Sequence, residues 1–253
     1  MRGRAIPLSP IRKLVVDLTL FAAPSVPVQR VMQLAPLVEA RAALKDRPVW
    51  ASLFAKAFAL TAVDIPDLRR AYVKFPWPHL YEYPQSTLSM VFERDWNGEM
   101  VILTTLMRSP ETLPIRDLSE RMKKTKDLPI ESNRDFRRMF ALARLPMPLR
   151  RLAWWLGLNI GRQRGNYFGT FGITVYSGLG AESLHPLSPL TATMNYGVIA
   201  KDGSVNVRIM YDHRVLDGSM VARTLGKMEE KLHGEVLAEL KAMAAEEQAA
   251  PTS

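Results

Sequence analysis

The residues best suited to chemistry lie near the carboxyl end, in the run Tyr211-Asp212-His213-Arg214-Val215-Leu216-Asp217-Gly218. His213 follows a segment predicted to be a strand, and Asp217 precedes apolar residues at the three- and four-residue spacing of a helix. Imidazole exchanges a proton near neutral pH, so a histidine fixed at a strand end is a candidate general base. Gly218 gives the backbone room to turn. Taken alone, a histidine is more often a structural or surface group than a base.

Composition limits the chemistry that is available. The chain has 253 residues, 47% of them apolar and 23% charged, as expected for a globular protein with an ample core. Cysteine is absent, which excludes disulfides, thiolate zinc sites and a cysteine nucleophile. His79, His185 and His233 have no metal-ligand neighbours in the sequence, so we expect no metal. No run approaches the roughly 20 apolar residues that span a bilayer, and we expect a cytoplasmic protein with at most a peripheral membrane contact.

Hydrophobic patterns predict one domain in which strands and helices alternate. Asp95-Trp96-Asn97-Gly98 carries the Asn-Gly signal of a hairpin turn. We find no repeat and no second core, so residues 1–245 form the predicted domain and residues 246–253 a disordered tail. Strands are predicted near 26–34, 87–92, 100–106, 167–175, 191–200 and 205–211, and helices near 8–20, 36–44, 50–63, 114–126 and from a capping Ser219 onward.

Several segments match one family. The run around His213 resembles the active-site signature of the dihydrolipoyl acyltransferases of 2-oxoacid dehydrogenase complexes. Its His-x-x-x-Asp-Gly core is shared with chloramphenicol acetyltransferase and, more distantly, with peptide-synthetase condensation domains. Gly169-Thr170-Phe171-Gly172-Ile173-Thr174 is similar to the family's Gly-Thr-Phe-Thr-Ile-Ser, and Pro7-Leu8-Ser9-Pro10-Ile11-Arg12-Lys13 to the start of its catalytic domain. The resemblance implies an α/β fold of the chloramphenicol acetyltransferase type, a two-layer sandwich with helices covering a mixed β-sheet.

The resemblance also implies a role for each site residue. His213 is the expected general base, taking a proton from a thiol, hydroxyl or amine that attacks the thioester of CoA or of a carrier protein. The Thr174 hydroxyl is expected to donate to the oxyanion. Asp217 is expected to order the loop, with Arg12 as its candidate ion-pair partner, while Gly218 supplies backbone room.

Simpler interpretations of the same residues stay open. Thr174 is equally an ordinary threonine of a β-strand. Asp217 is equally an acid at a helix N-terminus, where the dipole favours it. Ser177 replaces Thr174 as the hydroxyl donor if the register differs.

Assembly is a further implication of the resemblance. In this family the active site lies between two subunits of a trimer, with the histidine from one and the hydroxyl from the other. We therefore expect a homotrimer or a larger assembly of trimers, in which His213 and Thr174 of one chain need not be close.

An arginine-rich insertion at about 128–165 departs from the family. Eight arginines between Arg134 and Arg164 stand against one acid, Asp135, with apolar residues among them. This pattern fits an anionic membrane surface, an acidic carrier protein or a CoA phosphate, or a structural cover whose arginines face solvent. Nucleic acid is a poorer fit, because the basic residues are confined to one segment.

We expect no lipoyl-attachment site on this chain and no lipoyl or subunit-binding module ahead of the catalytic segment. The expected function is thioester-dependent acyl transfer by His213, with the acyl group and acceptor undetermined. Two alternatives stay open: a catalytically silent trimeric scaffold or regulatory subunit, and the core acyltransferase of a 2-oxoacid dehydrogenase complex.

Overall fold

A six-stranded mixed β-sheet, in the order β1-β8-β7-β6-β4-β5, forms the centre of the protein. The computed structural model describes residues 25–249 and, ahead of them, Pro10, Leu14 and Asp17. Strand β6 is parallel to both of its neighbours, and the other pairs are antiparallel. Strands β2 and β3 form a separate hairpin. The strands are β1 Ser25–Gln33, β2 Arg70–Val73, β3 His79–Glu82, β4 Thr87–Trp96, β5 Glu99–Arg108, β6 Phe171–Ile173, β7 Ala192–Tyr196 and β8 Ser204–Asp212.

The position of each strand in the sheet explains its sequence. Strands β6 and β7 are buried along their whole length because both faces of the sheet are covered there. Strand β5 lies at the edge, and burial alternates along it. The β4–β5 turn contains Asn97 at φ 54° and Gly98 at φ 79°, as a two-residue type I′ turn requires. The hairpin predicted from the Asn-Gly pair is confirmed.

The largest core lies between the sheet and α2 (Trp50–Asp64), and alternate residues of β4, β6, β7 and β8 point into it. This helix is alanine-rich and almost entirely buried, as expected for a helix that is apolar all round. Phe54 stacks on Tyr196 and Phe58 on Phe171, each pair with ring centroids 4.3 Å apart. The helices are α1 Ala35–Ala42, α2 Trp50–Asp64, α3 Ile115–Asp127, α4 Arg134–Arg144, α5 Met147–Asn159, α6 Gly161–Tyr167, α7 Gly218–Lys231 and α8 Leu237–Ala249.

The arginine-rich insertion folds into α4, α5 and α6. Phe136 and Phe140 of α4 and Trp154 of α5 pack with Leu103 of β5 in a second, smaller hydrophobic cluster. The sequence pattern predicted no second core, because the apolar residues of the insertion are dispersed among arginines. Helices that cover a sheet need only one apolar stripe each, and so the remaining positions can carry charge. Within the described part of the chain, no helix has the length and apolarity to span a bilayer.

Three predicted element boundaries were wrong. The strand predicted over 167–175 is confined to β6, since α6 runs to Tyr167 and Gly169 turns the chain at φ 85°. Helix α7 begins at Gly218, so Asp217 and not Ser219 occupies the N-cap position. The predicted disordered tail begins inside α8, which continues to Ala249. The helix predicted near 8–20 lies outside the described residues except at Pro10, Leu14 and Asp17, which are helical.

Gly203 is required by the turn between β7 and β8. Its φ is 82°, and an added Cβ would lie 2.4 Å from the backbone nitrogen of Ala35. We therefore expect Gly203→Ala to lower the free energy of unfolding by about 1 kcal/mol or more.

Gly226→Ala is the matched control for this prediction. Gly226 lies within α7, and a Cβ there meets nothing within 4 Å. This change should stabilise the protein by roughly 0.4–1 kcal/mol, because alanine favours the helix and restricts the unfolded chain. Urea denaturation of both variants measures the two effects; equal changes of the same sign would contradict the assignment.

Candidate active site

His213 lies in a tight turn between β8 and α7. The backbone amides of Val215 and Leu216 donate to the carbonyl oxygen of Asp212 at 2.9 and 3.1 Å, so the turn begins as β8 ends. The imidazole is 54% exposed and lies beside Tyr211, with ring centroids 5.4 Å apart. Its position just past a strand was predicted and is confirmed. A side chain so placed can reach a bound substrate while its backbone stays fixed.

An ion pair between the buried Asp212 and the partly exposed Arg214 supports this turn. Asp212 is completely buried, and its Oδ1 accepts hydrogen bonds from the backbone nitrogen and Nε of Arg214 at 3.0 and 2.9 Å. Its Oδ2 accepts from Nη2 of the same arginine at 2.7 Å. The guanidinium lies 4.6 Å from the ring centre of Tyr72. Bidentate pairing and the ring together fix the residues on either side of His213.

Arg164 connects the arginine-rich insertion to the region of the Asp212–Arg214 pair. Its Nη1 donates to the carbonyl oxygen of Tyr72 at 2.8 Å and its Nη2 to that of Pro189 at 2.7 Å. Burial lowers the pKa of the Arg164 guanidinium, an effect that the nearby Tyr83 and Asp212 oppose. Arginine stays charged in proteins, so Arg164 supplies a second positive charge near Asp212.

Tyr83 holds α6 against the chain that follows β3. Its hydroxyl donates to the carbonyl oxygen of Gly161 at 2.9 Å, and burial raises the pKa of this phenol to about 12. Gly161 and Gly165 leave no space for a side chain, since an added Cβ would clash with the rings of Tyr81 and Tyr83 respectively. The insertion therefore has a structural role next to the candidate base.

Asp217 is in loose contact with His213. Its Oδ1 lies 3.7 Å from Nδ1 of the imidazole, beyond hydrogen-bond distance, and its side chain is 78% exposed. Exposed pairs of this kind contribute little to stability. The predicted partner Arg12 lies outside the described residues. Gly218 is packed closely, since a Cβ there would lie 3.2 Å from the Tyr211 hydroxyl.

Thr174 directly follows β6 and is 5% exposed. Its backbone nitrogen donates to the carbonyl oxygen of Met194 at 3.1 Å. Its own carbonyl oxygen accepts from Nδ2 of Asn195 at 3.1 Å. The Oδ1 of Asn195 is buried and has no hydrogen-bond partner among the described residues. Ser177, the predicted alternative donor, is half-buried in the short helical turn Ser177–Leu179.

Strand register places His213 and Thr174 at opposite ends of the sheet. The amide of Asp212 donates to the carbonyl oxygen of Thr191, whereas Asn195, beside Thr174, pairs with Arg208 of β8. Four residues of β8 separate the two levels, about 13 Å along the strand. A single chain therefore does not bring the predicted base and the predicted hydroxyl together.

A second imidazole lies at the His213 end of the sheet. Nε2 of His185 is 2.7 Å from Oγ of Ser25, and Ser25 pairs with Asp212 across β1 and β8. The sequence pattern missed this contact, because 160 positions separate the two residues. Within the described part of the chain, no group of His, Asp and Glu side chains is arranged to hold a metal ion.

Comparisons with known proteins identify the fold. No family model and no curated protein sequence matches the chain. The solved structures that resemble it include dihydrolipoamide acetyltransferase of Azotobacter vinelandii, with a TM-score of 0.68, 15% identity and coverage of 94% of each chain. The cubic core of a pyruvate dehydrogenase multienzyme complex gives a TM-score of 0.66 at 16% identity, again covering 94% of each chain. A chloramphenicol acetyltransferase gives a TM-score of 0.51 at 13% sequence identity, and the match covers 87% of this chain and 94% of the chloramphenicol acetyltransferase chain.

These matches confirm the predicted fold class. The chain has the mixed-sheet α/β fold of chloramphenicol acetyltransferase and of dihydrolipoamide acetyltransferase catalytic domains. At these identities the likeness concerns the fold, and chemistry must be argued from the site itself.

Removing Arg214 tests the ion pair under the turn. Arg214→Ala leaves the carboxylate of Asp212 buried without its bidentate partner, and we expect a loss of about 1–3 kcal/mol in the free energy of unfolding. The double variant Asp212→Asn/Arg214→Ala should recover part of that loss, because no charge is then left buried.

Arg223→Ala is the matched control for Arg214→Ala. Arg223 is exposed on α7 and makes no ion pair with any described residue, so its removal should change stability by less than about 0.5 kcal/mol. Denaturation curves of all three variants supply the comparison. A loss for Arg214→Ala no larger than that of the control would show that the pair does not support the turn.

Proposed function

We propose that this protein transfers an acyl group from the thioester of CoA, or of a carrier protein, to a thiol, hydroxyl or amine acceptor. The observation that carries the proposal is the position of His213, half exposed at the end of β8 in a fold shared with acyltransferases. A serine, a histidine and an asparagine four residues after that histidine are studied in the mechanism of the Azotobacter vinelandii enzyme. Asp217 stands at the same spacing from His213.

The proposed step needs one base and one hydrogen-bond donor. The imidazole of His213 takes the proton of the acceptor as its sulfur, oxygen or nitrogen attacks the thioester carbonyl carbon. The carbonyl oxygen becomes an oxyanion, to which the Thr174 hydroxyl donates. Collapse of this intermediate breaks the carbon–sulfur bond, and the departing thiolate receives the proton held by the imidazolium. The acyl group moves from the thiol of the donor to the acceptor, the proton moves from the acceptor to that thiol, and no further reactant is needed.

Two chains must meet to complete this site. The register that separates His213 from Thr174 within one chain supports a site shared between neighbouring subunits. A ring of three chains provides such a contact three times, since each subunit presents one of its surfaces to a different surface of the next. We therefore propose a homotrimer. The known cubic core is built from chains of this fold, and a larger particle here would favour the core role in a 2-oxoacid dehydrogenase complex.

The other predicted residues keep supporting roles in the proposal. Asp217 borders the turn as the N-cap residue of α7, and the Asp212–Arg214 pair keeps His213 in place. Gly218 lets α7 begin directly behind Tyr211. We assign no residue to the binding of CoA.

A partner for the insertion is suggested by the outer face of α5. Leu149 and Leu152 on that face are about half exposed, and Trp77 of the loop between β2 and β3 is 66% exposed. The exposed Arg144 is near this face in the sequence. Exposed apolar side chains together with positive charge favour an anionic membrane surface, because an acidic carrier protein would need only the charge. Sedimentation with anionic vesicles separates the two partners.

Replacing the base tests the proposed function. His213→Ala should lower acyl-CoA turnover by about 10²–10⁴, because the attacking group then keeps its proton. Stopped-flow or colorimetric detection of free CoA thiol, with thiol, hydroxyl and amine acceptors in parallel, gives the rate. A loss below tenfold with the preferred acceptor would remove His213 as the base.

His233→Ala is the matched control for that measurement. His233 is exposed in the π-helical turn Leu232–Val236 between α7 and α8, and its side chain has no hydrogen-bond partner among the described residues, so its loss should leave turnover unchanged. A wild-type protein without turnover, whose melting temperature also stays constant when CoA is added, would favour the silent scaffold, since a ligand of the native state must stabilise it.

Mixing two inactive variants tests the shared site. Thr174→Val alone should lower turnover by about 10²–10³ by removing the oxyanion donor. Subunits of His213→Ala and Thr174→Val, unfolded together and reassembled at equal concentration, should recover about a quarter of wild-type activity, because random mixing pairs an intact histidine with an intact threonine at that frequency. Recovery no greater than the activity of the separate variants would contradict a site formed between chains.

A further inference from the structure

A basic cleft lies at the edge of the sheet, on the side of β5. Two adjoining cavities of about 640 and 310 Å³ share Arg108, Arg134, Arg138 and Asn166. Both cavities are open to solvent, so a ligand can enter them from the surface. Six cationic side chains define the cleft: Arg108 of β5, Arg121 and Lys124 of α3, Arg134 and Arg138 of α4, and Arg162 of α6.

Negative charge in the cleft is far below its positive charge. Among the described residues, Asp135 is the one carboxylate that lines it, and its Oδ2 already accepts hydrogen bonds from Thr105 Oγ1 at 3.1 Å and from the amide of Leu106 at 3.0 Å. Its Oδ1 lies 3.5 Å from Arg138. Among the residues that line the cleft, one carboxylate therefore faces six cationic side chains.

Most of the arginines have no acidic partner elsewhere. Within the described part of the chain, Arg121, Arg134 and Arg162 form no ion pair, and Arg108 makes one hydrogen bond, to Asn166 at 3.4 Å. The residues outside that part include no Asp or Glu in the sequence. Like charges gathered from four elements repel one another, and an anion that enters between them removes that repulsion.

Two of the guanidinium groups are held in place before any ligand arrives. Arg138 lies over the ring of Tyr167, 5.3 Å from its centre, and Arg108 is hydrogen-bonded to Asn166 of the same helix. Guanidinium presents paired N–H donors that match the oxygens of phosphate. A ligand with two or more negative charges is favoured, since one charge would leave most of the cleft uncompensated.

We propose that the basic cleft binds a phosphate-bearing ligand, either a soluble phosphate ester or diphosphate or the phosphate headgroup of a lipid. It is separate from His213, which follows β8, four strands away from β5 in the sheet, a distance of roughly 19 Å. Binding in the cleft therefore goes beyond the proposed acyl transfer and does not depend on it.

Calorimetric titration with inorganic pyrophosphate tests the site. The wild-type protein should show one saturable site per chain, with affinity that falls as salt is added. Arg134→Gln/Arg162→Gln should weaken binding by about tenfold or more, because each removed guanidinium takes charge-assisted hydrogen bonds with it. Both side chains are exposed, so the variant should keep the wild-type melting temperature.

The matched control removes the same charge elsewhere. Arg144→Gln/Arg223→Gln changes two exposed arginines that do not line the cleft, and its affinity for pyrophosphate should stay within about twofold of wild type, since distant exposed charges are screened. An equal loss in both double variants would show general charge attraction and overturn the proposal.

Vesicles distinguish the two sources of phosphate. The second arm uses phosphatidylcholine vesicles with and without phosphatidic acid, sedimented with each variant. Binding to phosphatidic acid that is lost in Arg134→Gln/Arg162→Gln and kept in the control supports a lipid headgroup, and cleft-dependent binding of pyrophosphate supports a soluble ligand. The absence of cleft-dependent binding in both arms overturns the site, whatever the result for acyl transfer.

Discussion

The buried carboxylate of Asp212 at the end of β8 constrains much of this molecule. A charge without solvent must be matched by positive charge and by hydrogen bonds, and Arg214 supplies both through a bidentate pair. Because Asp212 and Arg214 flank His213, the groups that neutralise the carboxylate also fix the turn that carries the candidate base. Arg164 adds a second positive charge, so the insertion is tied to the same point.

The arginine-rich insertion divides its arginines between two roles. Arg150 and Arg164 are buried: Arg150 forms an ion pair with the buried Asp17, and Arg164 bonds to backbone carbonyl groups. These residues hold α5 and α6 against the rest of the fold. Arg134 and Arg162 face the basic cleft without acidic partners. The buried arginines of the insertion therefore stabilise the fold, whereas its exposed arginines form a positively charged surface.

The sheet explains why one chain is insufficient for the proposed chemistry. Strand β8 runs antiparallel to β7, and β6 runs parallel to β7, so residues that follow β8 and residues that follow β6 emerge at opposite ends. His213 and Thr174 each follow one of these strands. No side-chain rotation spans such a separation, so the proposed mechanism takes its hydroxyl from a second subunit.

The amino-acid sequence by itself determined the β4–β5 hairpin and the place of His213 at a strand end, and the fold class followed from the resemblance of its motifs to a known family. These features depend on local signals, namely apolar periodicity, an Asn-Gly turn and a short motif, and each can be recognised without knowing what packs against it. The sequence also named Thr174 and Asp217, but not their geometry.

Tertiary structure alone decided the rest. The contact between Ser25 and His185, the convergence of four elements on the basic cleft and the support of the turn by Arg164 join residues that are remote in the chain. The sequence shows that arginines are frequent between residues 134 and 164. It does not show which of them are buried, because that depends on how helices α4 to α6 pack on the sheet. Charge and periodicity are properties of a segment, whereas a partner across the fold is a property of the packed molecule.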